Sequence, residues 1–491
     1  MFSEIIIDLS WLFTIVFFLY MISIIIFIIM ENRDAQSTFS WILIFILLPL
    51  FGLLIYIFFG RNWRIHSHKK KAFKEDLYDE LKNTLMPIHN KETAIIAQLK
   101  EGGMSNHKKL IDTLHSFEEA SFTQHNKVKI LQNGSKKFAA LEEDLKKATK
   151  YIHMEYFIWR DDVLTNRIKE ILVDRVNNGV KVRILFDPAG SSLMLIKGRS
   201  YLKELRAAGI EILPFFNSMA RSKFTALNNI NHHKIVVIDG QVAYTGGMNM
   251  GQEYIDGKPM YKSWRDTHIR IEGEAVHSLQ ALFVYSWKAI TGESLFDKQY
   301  FTTQENITND LPMQILASGP DSSQSTIRQL FFSMIMTAQK KVYIQSPYFV
   351  PDTTIFEALK LSALSGVDTR VMVTGVPDKK VAYWAAYSFF EELLQAGVKI
   401  YHYNAGFIHS KTISVDETFC TIGTTNLDLR SFTTSHEVNA VIFDVETTKE
   451  LEQDFINDLN QCTELTLDEY NNIKPVVKFR NSLCRLLAPL L

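Results

Sequence analysis

The stretch INHHKIVVIDGQVAYTGGMN, residues 230–249, carries the signal from which the fold of this chain is read. HHKIVVI is rich in β-branched residues, Asp-Gly is a strong two-residue turn signal, and QVAYTGG can run back beside the first strand, so the segment predicts a β-hairpin. Side chains two apart on a strand share a face, which sends His232 and Lys234 one way and His233 the other. Asp239 then falls in the turn, Gly246 and Gly247 return opposite the histidines, and Asn249 lies just beyond. Glycines there leave room for something to approach the backbone closely.

A His two residues before a Lys is commonplace here: His68, His89, His107, His125, His232 and His409 all have one, out of 14 histidines. Requiring Asp five residues after the Lys leaves two, His232-Lys234-Asp239 and His409-Lys411-Asp416. Both continue to an Asn at the same distance, in GGMN at 246–249 and GTTN at 423–426.

A duplicated motif invites a search for a duplicated domain. The same order of segments surrounds each copy, and Gly134, Ala148, Gly179, Gly209 and His232 correspond to Gly319, Ala338, Gly366, Gly397 and His409. The first copy has eleven more residues between its Gly and its His, in the basic loop NSMARSKFTALNNIN, which is expected beside the site. Each copy reads as alternating helices and strands followed by the hairpin. This predicts an α/β fold: two pseudo-twofold-related α/β/α sandwich halves with mixed, mainly parallel sheets, over 124–300 and 301–470.

Two imidazoles and two ammonium groups around one cavity suit an anion that must be attacked and protonated, and a phosphodiester fits. One histidine would attack phosphorus and the other protonate the departing oxygen. Lys234, Lys411, Asn249 and Asn426 would hold the nonbridging oxygens. Asp239 and Asp416 complete the motif, but their place at the turn favours a structural role over contact with substrate. A nucleophilic imidazole needs its other nitrogen held by a carboxylate, for which Glu437 and Asp266 are the candidates. No metal cluster is evident, and the chemistry requires neither a metal nor another cofactor.

The N-terminus carries uncharged runs, LSWLFTIVFFLYMISIIIFIIM at 9–30 and a second at 36–60, parted by ENRDA. Each is long enough for a hydrocarbon layer of about 30 Å, so a transmembrane hairpin with spans near 9–30 and 38–59 is expected within residues 1–60. Glu4 and Asp8 stand where a signal peptide has its basic region. RNWRIHSHKKKAFK follows, and the positive-inside rule puts it in the cytoplasm beside an anionic surface. Residues 61–123 read as this basic segment and a helical linker, and 471–491 as a C-terminal amphipathic segment. A net charge of −1 gives no bulk argument for nucleic acid, and no interleaved aromatic and basic tract suggests stacked bases. Three cysteines make no disulfide framework.

The paired His-x-Lys motifs with Asp and the Gly-x-x-Asn continuation resemble the phospholipase D superfamily. Within it the chain is similar to the bacterial cardiolipin synthases, through STFSWILIFILLPLFGLLIYIFFGRNWR, GGMNMGQEY, WRDTHIRIEG, QSPYFVP, GTTNLDLRSF and the closing LLAPLL. The resemblance implies a phosphohistidine mechanism with His232 as nucleophile and His409 as acid and base. It also implies phosphatidylglycerol as donor and acceptor, cardiolipin and glycerol as products, and a place in the bacterial plasma membrane. A hydrolytic phospholipase D, a membrane-tethered nuclease of the same superfamily and a catalytically silent lipid-binding module are the competing readings. GG and GT stand where many relatives have Gly-Ser, and Asp266 where they have Glu.

Overall fold

Long runs of β-branched residues broken by amphipathic helices give this chain its sheet. The structure, a computed structural model, describes residues 2–31, 35–49, 51–52, 56, 86, 89–117, 120–215, 230–302, 307–320, 322 and 325–488. Most of the basic loop expected beside the site, and the basic segment 61–74, lie outside the described residues.

Contacts separate an N-terminal unit from the rest. In the first, helix α1 (Phe2–Met30) and helix α2 (Ala35–Leu47) pack through Ile28 and Phe45 around Tyr56, whose hydroxyl donates to Glu31 Oε2 at 2.6 Å. Among residues with described side chains, no helix is long and apolar enough to cross a membrane. The first expected span lies within α1 and the second is continuous helix only to Leu47, so both crossings are taken up below as a proposal.

In the second unit, strands β1 (Phe122–Gln132), β2 (Tyr151–Tyr156), β3 (Lys181–Phe186), β4 (Glu211–Pro214), β5 (Lys234–Ile238), β6 (Val242–Gly246) and β7 (Thr267–Gly273) build the first half. Strands β8 (Asp310–Ser318), β9 (Lys341–Gln345), β10 (Asp368–Thr374), β11 (Lys399–Tyr403), β12 (Thr412–Val415), β13 (Phe419–Gly423) and β14 (Ser435–Ile442) repeat it, and β15 (Cys462–Leu465) is added at the end. They form one sheet in the order β4-β3-β2-β5-β6-β7-β1-β8-β14-β13-β12-β9-β10-β11-β15. Without β15 the order reads the same from either end, which is the expected pseudo-twofold, with its axis at the antiparallel β1–β8 seam (Phe122 opposite Gln314).

The sheet corrects the reading from sequence. The halves share a continuous sheet, and among the strands named above β2-β3-β4 and β9-β10-β11 are the parallel runs, so antiparallel ladders outnumber parallel ones. The cause lies beside the seam: β1, β7, β8 and β14 pair antiparallel with one another, and β7 and β14 pair antiparallel with the hairpins they follow. Helices α3 (Glu92–Glu101) and α4 (Lys108–His115) bury Ile95, Leu99, Leu110, Ile111 and Leu114 in the core of the second half, beside Leu330 and Met334. Those apolar residues recur at helical spacing, so the segment has one face to bury.

Helix α5 (Asn133–Lys147) follows β1 and helix α6 (Val163–Asn177) follows β2, each covering the sheet with leucines such as Leu141, Leu145, Leu164 and Leu172. Helix α7 (Lys380–Gln395) follows β10 in the second half, and helix α8 (Val445–Leu459) follows β14. The C-terminal segment forms helix α9 (Pro475–Arg485).

Candidate active site

Both hairpins form as the alternation demands. Val236 pairs with Tyr244 and Ile238 with Val242, and Gln241 N–H donates to Ile238 O at 2.9 Å, so the turn Ile238–Gln241 is centred on Asp239-Gly240, both at positive φ, 55° and 68°. This is a type I′ geometry, whose twist matches the strands. In the second hairpin Asp416 and Glu417 take the same conformation, at 54° and 58°.

The two turn aspartates bind backbone. Asp239 accepts from the N–H groups of Thr149, Lys150 and Tyr151 at 2.7–2.8 Å and from the Thr149 hydroxyl at 2.9 Å. Asp416 accepts from Gln339, Lys340 and Lys341, each at 2.8 Å. These bonds fasten each turn to the start of the neighbouring strand, at the opposite end of the hairpin from the histidine. Both carboxylates thus hold backbone at the turn, away from the imidazoles.

The histidines are held across the seam. The short strand Ile230–Asn231 pairs in parallel with Ser435 and His436, and His232 N–H donates to His436 O at 2.9 Å. The next residue, Glu437, accepts from His232 Nδ1 at 2.9 Å. The other half mirrors this: Phe407–Ile408 pairs with Trp264–Arg265, His409 N–H donates to Arg265 O at 2.7 Å, and the next residue, Asp266, accepts from His409 Nδ1 at 2.8 Å. Each carboxylate is fully buried and fixes its imidazole by Nδ1, leaving Nε2 without a partner among the described residues. The sequence offered both as orienting groups; the crossing between halves comes from the fold.

The glycines in the returning strand serve this arrangement. A Cβ on Gly247 would collide with the carboxylate of Asp266, so the close approach expected there is made by the protein's own side chain. In the second half Thr424 stands at the corresponding position and donates its hydroxyl to Glu437 Oε2. The departures GG and GT are thus fitted to two different carboxylates.

Lys234 and Lys411 are buried, each donating Nζ to the carbonyl of its own motif histidine, His232 at 2.9 Å and His409 at 2.6 Å. Burial pushes Lys234 down to about 7 and Lys411 down to about 8. Burial also pushes His409 down to about 4, with Lys411 adding to it. His232 is lowered well below its usual value by burial and then by Lys234, Lys411, His409 and Lys379. That the second motif's lysine and histidine act on His232 sets both motifs around one anion-seeking site. His233 faces away, with Nδ1 3.2 Å from buried Glu155, as the alternation predicts.

Asn249 and Asn426 are buried. Asn249 accepts from Ile158 N–H at 3.1 Å and donates to the Tyr254 hydroxyl at 2.6 Å, and the Tyr254 ring lies 6.2 Å from that of His409. Asn426 leaves its Oδ1 buried without a partner among the described residues. Several neighbours were not legible as site residues: Phe157, whose ring meets His232 edge-on at 4.9 Å, Trp264, 5.4 Å from His409, and Asp187, which accepts from Asn231 N–H at 2.9 Å. Apolar and acidic residues on other strands give no local signal.

A family model described as cardiolipin synthase, phospholipase D-like domain, matches residues 141–283 and 331–459. Curated cardiolipin synthases extend the match over nearly the whole chain: that of Halalkalibacterium halodurans is 39% identical over 94% of this chain and 91% of its own, and that of Geobacillus sp. strain WCH70 is 38% identical over 97% and 92%. The chain belongs to the cardiolipin synthase family. As a cardiolipin synthase it is a phosphatidyltransferase, and the phospholipase D-like fold agrees with a solved phosphatidylserine synthase from Haemophilus influenzae, TM-score 0.60 at 15% identity over 78% of this chain and 100% of that one. A second model, of a phospholipase D-nuclease N-terminal region, matches residues 16–61.

Proposed function

We propose that this enzyme transfers a phosphatidyl group from one phosphatidylglycerol to another, through a phosphohistidine and without metal or other cofactor. The crossed pairing of His232 with Glu437 and His409 with Asp266, around two buried lysines, is the observation that carries this reading. Nε2 of His232 attacks the donor phosphorus. The N–P bond forms as the P–O bond to glycerol breaks, and His409 gives its proton to the leaving oxygen. The headgroup hydroxyl of the second phosphatidylglycerol then gives its proton to His409 and attacks phosphorus, and the N–P bond breaks. Lys234, Lys411, Asn249 and Asn426 hold the nonbridging oxygens. A bound phosphodiester raises the proton affinity of His409 and of both lysines, so the acid arrives with the substrate.

The test is product analysis in phosphatidylglycerol bilayers without added metal or nucleotide. Cardiolipin with equimolar glycerol, lost in His232→Ala and in His409→Ala, is the expected result. Phosphatidic acid in its place would make water the acceptor and the enzyme a hydrolase.

We also propose that the spans 9–30 and 38–59 cross the bacterial plasma membrane as a hairpin, with the catalytic body on the cytoplasmic side. At 1.5 Å per residue each is about 33 Å long, enough for the hydrocarbon layer. The basic run at 61–74 favours the cytoplasmic, anionic face. Helix α9 supports contact with that surface: Arg480 and Arg485 lie 4.2 and 4.4 Å from the rings of Trp384 and Phe389 on α7, while Val476, Phe479 and Leu483 point outward, 71%, 69% and 54% exposed.

A further inference from the structure

The second half-reaction sets an electrostatic problem that the two motif lysines do not solve. The acceptor is itself a phosphodiester, so while its hydroxyl attacks the phosphohistidine the site holds two anionic phosphates. Lys234 and Lys411 are buried and tied to the carbonyls of His232 and His409, and the reaction above assigns them to the reacting phosphate. The second phosphate needs cations of its own, near the first but nearer solvent.

Two cations outside the motifs stand there. Lys379 is exposed at the end of the β10–α7 connection, immediately before α7, with Nζ 4.7 Å from the ring centre of Tyr348. Its charge reaches His232, whose protonation it opposes. Arg430 is half-buried, four residues beyond Asn426, on the short helix Leu429–Thr433. Phe349–Val350 pairs in parallel with Leu427–Asp428, so Tyr348, beneath Lys379, enters the same strand pair from which the Arg430 helix leaves, next to Asn426; both cations act on the carboxyl of Asp428, which burial pushes up and which they pull back. Arg430 also acts on Asp187, whose carboxyl burial carries up to about 6.

The nearby carboxylates are already occupied. Asp428 caps the short helix by accepting from Ser431 N–H at 2.7 Å, Asp187 accepts from Ala189, Gly190 and Asn231 N–H groups, and Asp378 accepts from the Tyr348 hydroxyl at 2.6 Å. Among the described residues neither Lys379 nor Arg430 is taken up by an ion pair. We propose that Arg430 and Lys379 form a second anion subsite that holds the phosphodiester of the acceptor lipid while its headgroup hydroxyl reaches the phosphohistidine. Arg430, with its planar fork of donors, is the main contact, and Lys379 closes the rim.

This inference rests on phosphatidylglycerol being the acceptor, and the test separates the two claims. Full-length enzyme in phosphatidylglycerol bilayers is given labelled glycerol, and two products are followed: cardiolipin, whose formation needs an anionic acceptor, and labelled phosphatidylglycerol, formed when neutral glycerol resolves the same intermediate. Arg430→Gln is expected to lower the ratio of cardiolipin to labelled phosphatidylglycerol about tenfold and Lys379→Gln about threefold, with Arg430→Lys recovering part of the loss. A ratio within twofold of wild type in Lys379→Gln and in both Arg430 variants overturns the subsite, whatever happens to total turnover. Should Arg430→Gln give no product at all, Lys379→Gln, at an exposed position, and Arg430→Lys decide the matter. Wild type that exchanges glycerol but makes no cardiolipin defeats the acceptor reading, and the subsite with it.

Discussion

His232 and His409 depend on what holds the nitrogen that does no chemistry. Each Nδ1 donates to a fully buried carboxylate, which fixes the tautomer and supports positive charge on the ring as it forms. Glu437→Gln and Asp266→Asn keep the shape and remove the charge. Each is expected to lower kcat by about 10²–10³ with little change in KM, read from cardiolipin formation against phosphatidylglycerol concentration. An equal rise in KM would assign the carboxylates to substrate binding instead. The lysines set a different limit. Protonated, they attract the anion; with Lys234 near 7 and Lys411 near 8, the free site loses both positive charges as pH rises through this window. We expect kcat/KM to fall by about tenfold per unit between about pH 7 and 8 and more steeply, toward about a hundredfold per unit, beyond 8, whereas the break in kcat lies at higher pH because bound phosphate holds the protons on. A kcat/KM flat to pH 9 would contradict this. The motif residues were legible because His, Lys, turn and Asn lie within twenty residues of one hairpin. The pairing of each histidine with the carboxylate of the other half was not, since it arises from contacts 205 and 143 residues apart.

At the scale of elements, the hairpins are positioned by their turns. Asp239 ties the β5–β6 turn to the first residues of β2, and Asp416 ties the β12–β13 turn to those of β9, each gathering three successive backbone N–H groups. Removing either carboxylate leaves those donors short of a partner beneath the sheet end, at about 2–4 kcal/mol. Asp239→Ala and Asp416→Ala should therefore melt several degrees lower, with activity lost in proportion to the folded fraction; loss of activity at an unchanged melting temperature would restore them to the chemistry. The alternation, the Asp-Gly signal and the matching second copy made these hairpins readable. Strands β1 and β8 were not readable as the centre of the sheet. FTQHNKVKILQ has the alternation of a strand, but nothing in it says that it pairs with a segment nearly two hundred residues away, and the expectation of a mainly parallel sheet failed there.

At the scale of the molecule, the seam explains why the two halves remain one chain. β1 and β8 join them edge to edge, and beyond the seam each half lends the other a short parallel strand pair and a carboxylate. Neither half contains a complete histidine: His232 without β14 loses Glu437, and His409 without the strand before β7 loses Asp266. A site assembled within one chain cannot be rebuilt by mixing whole chains that each lack one histidine. Full-length His232→Ala and His409→Ala proteins, reconstituted together in phosphatidylglycerol bilayers, are accordingly expected to make no more cardiolipin than either alone. A single-turnover phosphohistidine left on the His409→Ala chain gains nothing from a neighbour, because the acid and the nucleophile must share one cavity. Recovery toward a quarter or more of wild-type turnover would mean that halves exchange between chains, with β14 of one chain seated on the short strand before His232 of another. It would make the working unit a domain-swapped pair, in which the same crossed contacts run between molecules.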